Sequence, residues 1–98
     1  MIKYRLTNEA KNDLEKIWIY TYKNFSVKQA DKYYRLIIDE FDFLASNPFS
    51  GKSVDYIKEG YRVSKIKSHL IFYKLSVDEK IEIIRILHKR MDIEIRIR

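Results

Sequence analysis

The groups in this chain best suited to proton transfer near neutral pH are two imidazoles, His69 and His88. A site that cleaves RNA needs a general acid or base, cations for a pentavalent phosphate and a proton donor. His69 or His88 could fill the first role, Arg62, Arg85 or Arg90 the second, and Tyr73 the third. Composition alone favours a plainer reading, in which Arg85 and Tyr73 are cross-strand partners in a sheet and His88 is a polar residue at a strand end. Other chemistries lack their residues. There is no Gly-rich phosphate loop, no GxSxG and no HExxH, and the two histidines lack metal-ligand spacing. With no Cys there is no thiolate zinc site, disulfide or Cys nucleophile, which fits a reducing compartment. Neither a metal nor another cofactor is expected.

The elements that must carry these residues start with 61–92, YRVSKIKSHLIFYKLSVDEKIEIIRILHKRMD. Runs of Val, Ile, Phe and Tyr of strand length are broken at Lys67-Ser68 and at 77–80, so three strands are expected. Links this short allow only an antiparallel meander. Its apolar residues, among them Ile66, Leu70, Phe72, Ile84 and Leu87, alternate with Arg62, Lys65, Lys67, Lys74, Arg85, Lys89 and Arg90. The meander should therefore have one dry face and one basic face, with the dry face covered by upstream sequence.

Upstream, Ile2 to Leu6 alternates apolar and basic like a half-buried strand. Thr7 is a candidate N-cap with Glu9 in the first turn behind it, and Ala10, Leu14, Ile17, Trp18, Thr21 and Phe25 form a helical stripe. Ser26 and Gln29 have capping-box spacing, and Val27, Ala30, Tyr34, Ile37, Phe41 and Leu44 form a second stripe. The short link between the stripes favours an intramolecular hairpin over a coiled coil. Asn47-Pro48 stops the second helix, and 48–60 is irregular. The expected architecture is a single two-layer α+β domain, β-α-α-β-β-β. Helices at 7–25 and 27–46 pack on the antiparallel sheet, with Trp18, Tyr34, Ile37, Phe41, Phe72 and Ile84 buried.

A chain of 98 residues with 46% hydrophobic content supports one folded core. The net charge of +6 is unevenly spread: residues 7–47 carry 6 Lys/Arg against 7 Asp/Glu, and 61–92 carry 8 against 4. Excess positive charge on the sheet favours an acidic partner, protein or nucleic acid. No long apolar run suggests a signal peptide or membrane span, so a cytoplasmic protein with no membrane partner is expected.

Five stretches carry a family resemblance: YRLTNEAKNDLEKIW at the start, LASNPFSGK at 44–52, EGYRV at 59–63, SHLIFYK at 68–74 and IIRILHKRMD at 83–92. Together they resemble the ParE branch of the RelE/ParE toxin superfamily across nearly the whole chain. Lys89 stands where members often have Gly, Asn8 where Pro is common, and the tail IEIRIR has no counterpart. The resemblance implies the toxin of a type II toxin–antitoxin pair. It would be neutralised by a ParD-like antitoxin, aimed at DNA gyrase, and brought to operator DNA only through the antitoxin complex.

RelE relatives are instead ribosome-dependent mRNA endonucleases that use basic residues and, in some members, a C-terminal Tyr. Arg90 falls at a basic position they employ, but Leu70 stands where Arg is expected and no Tyr follows Tyr73. A non-enzymatic gyrase inhibitor is therefore preferred, with the endonuclease and a nontoxic binding module as alternatives. Candidates for target binding are Arg62, Arg85, His88, Lys89, Arg90, Arg96 and Arg98, on a chain end that packing need not fix. Arg90 stands first, against a plainer role in which it pairs with Asp92 or Glu94. Candidates for antitoxin contact are Trp18, Tyr22, Tyr33, Lys65, Lys67 and Tyr73.

Overall fold

The computed structural model describes residues 4–91 and 93–97. Strand β1 (Tyr4–Leu6) leads into helices α1 (Asn8–Asn24) and α2 (Val27–Ser46). A two-residue strand β2 (Lys52–Ser53) precedes the meander of β3 (Tyr61–Ile66), β4 (His69–Leu75) and β5 (Ile81–His88), and helix α3 (Ile93–Ile97) follows. The five strands form one sheet in the order β1-β5-β4-β3-β2. The meander is antiparallel as expected, whereas β1 lies parallel to β5. Met1 to Lys3, including the expected start of the first strand, lie outside the described residues.

Local chemistry sets the helix ends. Thr7 Oγ1 accepts from the Ala10 amide at 3.0 Å and donates to Ile84 O at 2.7 Å, so one hydroxyl caps α1 and ties it to β5. Ser26 Oγ accepts from the Gln29 amide at 3.1 Å and starts α2 one residue past Phe25. The Asn47 amide closes α2 onto Phe43 O and Leu44 O before Pro48. Both helices lie on one sheet face, where Leu14, Ile17, Ile37, Phe41 and Leu44 pack on Ile71, Tyr73, Ile81, Ile83 and Ile86.

The other face is not a basic surface. Val54, Tyr61, Phe72, Leu87 and Ile97 form a second apolar cluster there, with Ile57, Val63, Leu70, Ile84 and Ile93 around it. Leu70 and Phe72 alternate with Ile71 and Tyr73 along β4, so both faces of that strand are apolar and both require cover. Cover for the second comes from the 48–60 segment and from α3, whose Ile93 and Ile97 lie one helical turn apart. Helix α3 is thus packed on one side rather than loose, with Ile97 only 5% exposed.

Five burial expectations need correction. Tyr34 is 43% exposed because it flanks the buried stripe of α2 beside the β1 edge. Phe25 and Val27 sit where the hairpin turns away from the sheet, and they are 70% and 50% exposed. Trp18 is half-buried, with its indole N–H donating to Asp31 Oδ1 at 3.0 Å. Ile84 is half-buried against the second cluster. Ile37, Phe41 and Phe72 are buried as expected.

Candidate functional surface

Several candidate side chains are committed to holding the fold. Asp13 of α1 is buried and takes Arg85 in a forked pair, Nε to Oδ2 at 2.7 Å and Nη2 to Oδ1 at 3.0 Å. Its Oδ2 also accepts from the Ile86 amide at 3.0 Å. Hydrogen bonding to Asp13 raises the Arg85 pKa above its ordinary value, so the pair is ionic. A register irregularity between Phe72 and Tyr73 leaves Ile84 unpaired opposite β4, next to Arg85. Arg62 donates to Gly51 O at 2.6 Å and lies 5.1 Å over the Phe49 ring, pinning the segment before β3. Tyr73 is fully buried; its hydroxyl donates to Pro48 O at 2.8 Å and accepts from the Gly51 amide at 2.9 Å. Its place among the antitoxin contacts is therefore corrected, because a partner cannot reach it.

The groups nominated for RNA cleavage are not brought together. Arg62 and Tyr73 are cross-strand partners, whereas His69 and His88 pair at the opposite end of β4. Four residues of strand put about 13 Å between Tyr73 and His69.

The two histidines lie instead in an open groove of about 800 Å³ between the hairpin end and the β3–β4 turn. Tyr20 and Phe25, 64% and 70% exposed, form one wall; Tyr33, Arg35 and Leu36 form another; Lys67, His69 and His88 close it. Lys32, Arg35 and Lys67 outnumber Asp39 in its lining, so the groove is apolar and cationic. Tyr33 Oη lies 2.7 Å from His69 Nδ1, and the His69 and His88 rings meet edge to face at 5.4 Å. Burial, then the neighbouring His88, pushes the His69 pKa down to about 4 against a smaller upward pull from Asp13. His69 is therefore neutral at physiological pH.

A second groove, of about 500 Å³, runs beside the β1 edge and is lined by Tyr4, Leu6, Trp18, Tyr34 and Ile38. Trp18 stacks on Tyr22 at its rim, with ring centroids 5.4 Å apart. Of the other candidates, Lys65 and Lys67 are exposed on and after β3, Lys89 and Arg90 are exposed just past β5, and Arg96 is exposed on α3. Arg98 and Asp92 lie outside the described residues.

Tyr20, Phe25, Lys32, Arg35 and Leu36 were not among the expected site residues. Their signal in the sequence is weak: apolar and aromatic residues out of phase with the core stripes, or at a stripe's end, on helices that are otherwise polar outside.

The model of the ParE toxin of the type II toxin–antitoxin system parDE matches residues 4–93. The chain belongs to the ParE toxin family. Toxin ParE1 of Mycobacterium tuberculosis (strain ATCC 25618 / H37Rv) is 38% identical over 92 residues, which is 94% of each chain. Toxin ParE1 of Caulobacter vibrioides is 37% identical over 92 residues with the same coverage. Toxin ParE of Escherichia coli is 28% identical over 97 residues, 99% of this chain and 94% of that one. The solved structure titled chromosomal ParDE TA system from P. aeruginosa shares the fold, with a TM-score of 0.75 at 20% identity over 90% of this chain and 96% of that one. This ParE toxin thus has the strand, helical hairpin and sheet of that structure. Among the described residues no helix is long and apolar enough to cross a membrane.

Proposed function

We propose that this ParE toxin arrests growth in the cytoplasm by binding DNA gyrase, without chemistry of its own, and that a ParD-like antitoxin neutralises it. The observation that carries the reading is the open apolar and cationic groove beside the hairpin, which leaves Tyr20, Phe25 and Leu36 exposed. An acidic amphipathic helix of the antitoxin suits that groove, with charge favouring on-rate and specificity. The β1 edge suits an added strand: the Thr7 amide bonds Ile83 O, so the period of two turns the Tyr4 and Leu6 backbone outward next to Trp18 and Tyr34. Operator DNA would be reached only through the antitoxin complex. Exposed Lys89, Arg90 and Arg96 are the surface offered to gyrase, and Arg90 leads because its guanidinium forks onto carboxylate or phosphate. The engagement of Arg62, Arg85 and Tyr73 within the fold supports the non-enzymatic form of the reading.

Co-expression with the product of the neighbouring gene should give a tight complex, weakened by Leu36→Asp and Arg35→Glu. A toxin that stays monomeric beside that product would remove the antitoxin. For the target, growth arrest and gyrase-dependent DNA cleavage should be lost in Arg90→Ala and reduced in Arg90→Lys, each first shown to fold. Full toxicity in both would clear Arg90 of a role. Ribosome-dependent mRNA cleavage by the unmodified protein would replace gyrase inhibition with nuclease action.

A further inference from the structure

Among the described residues, three hydrogen bonds hold the turn that follows β5. The Lys89 amide donates to Ser68 O at 2.9 Å and the Met91 amide to His88 O at 2.9 Å, both backbone to backbone. The third is different in kind: the Arg90 amide donates to His88 Nδ1 at 3.1 Å. A neutral imidazole carries one proton, so a ring that accepts at Nδ1 carries it on Nε2. The same ring lines the 800 Å³ groove and rests edge to face on His69, which Tyr33 of α2 holds in turn. A short line of contacts therefore runs from the groove wall, through Tyr33, His69 and His88, to the amide of Arg90.

We infer that His88 positions the turn of Lys89 and Arg90, and that a partner seated in the groove acts on that turn through the His88 ring. The inference rests on the reading that the groove takes the antitoxin and the turn meets the target. An occupant that rotates the ring takes Nδ1 out of reach and frees the Arg90 amide. The two surfaces then share a residue. Antitoxin binding changes the target surface from within, as well as by lying near it.

Two substitutions separate this from packing. His88→Asn puts an amide oxygen off Cγ where Nδ1 stands, and His88→Phe keeps a ring against His69 but has no acceptor. Loss of one such bond corresponds to about a three- to tenfold change. His88→Phe should speed Arg90 amide exchange, read by NMR, by that factor and weaken gyrase inhibition by a similar one. His88→Asn should stay within about twofold in both. Adding the co-encoded antitoxin should speed Arg90 exchange in the unmodified toxin and leave it unchanged in His88→Phe. Unaltered exchange and inhibition in His88→Phe, or equal losses in His88→Asn, would overturn the positioning role. Antitoxin binding with no change in Arg90 exchange would overturn the link to the groove. If Arg90→Ala inhibits gyrase fully, the target reading fails by itself, because the amide exchange is measured without a target.

Discussion

Asp13 shows what one residue contributes here. Among the described residues it is the charged side chain that is buried, and it serves both the Arg85 guanidinium and the Ile86 amide. Asp13→Ala leaves Arg85 without its counter-ion and should cost about 3–5 kcal/mol, a large share of the roughly 5–15 kcal/mol available to a domain. Asp13→Leu with Arg85→Met should lose less, since only the Ile86 amide is then unsatisfied, at about 1–3 kcal/mol. Urea midpoints of the two variants decide the order, and equal losses would mean the ion pair is incidental. His69 gives a pH dependence. Its folded value is about 4 against an ordinary 6.5, so the unfolded chain takes the proton first. Its contribution is complete above about pH 6.5 and is lost as pH falls toward 4, by about 2 kcal/mol after allowance for solvent screening. His69→Gln should flatten the urea midpoint across that window relative to the unmodified protein. The sequence reveals the identities of such residues but not their engagements: Arg85 and Arg90 look alike in it, and only packing ties Arg85 to a helix 72 positions away.

At the level of elements, two close fits can be tested by substitution. A Cβ on Gly51 would collide with the Tyr73 hydroxyl, which is buried between Pro48 and Gly51. Gly51→Ala should therefore destabilise by about 1–3 kcal/mol, and Tyr73→Phe should not restore it, because Tyr73 ring carbons also lie within 3 Å of the added methyl and Pro48 O and the Gly51 amide lose their partner. If Gly51→Ala melts like the unmodified protein, the segment before β3 is looser than its contacts imply. Thr7→Ala removes both a helix cap and a bond to β5 and should cost about 1–2 kcal/mol in thermal unfolding. Both helices and the meander were legible because capping residues, apolar stripes and short breaks are local signals. The second face of the sheet was not, since Phe72 and Leu87 look the same in sequence whether covered by helices or by α3. Nor was the groove, whose walls come from residues 20–25, 29–39, 67–69 and 88.

At the scale of the molecule, the parallel pairing of β1 with β5 joins the first described strand to the last. Tyr4 is partnered with Ile81, and the Thr7 cap leans on Ile84, so α1 is seated on residues more than 70 positions downstream. Such long-range closure slows folding relative to a domain of local contacts. Refolding of the unmodified chain should be slower than that of a circular permutant with β1 moved to follow β5. Equal rates would show that the closure is not limiting. Chains are made from the N-terminus at about 5–20 residues per second, so the hairpin appears well before its platform. A nascent chain of this ParE toxin has its hairpin before it has β5 or the turn of Lys89 and Arg90. A product that stops before residue 81 lacks the strand with which β1 pairs and to which Thr7 ties α1, so its hairpin has no closed sheet to rest on.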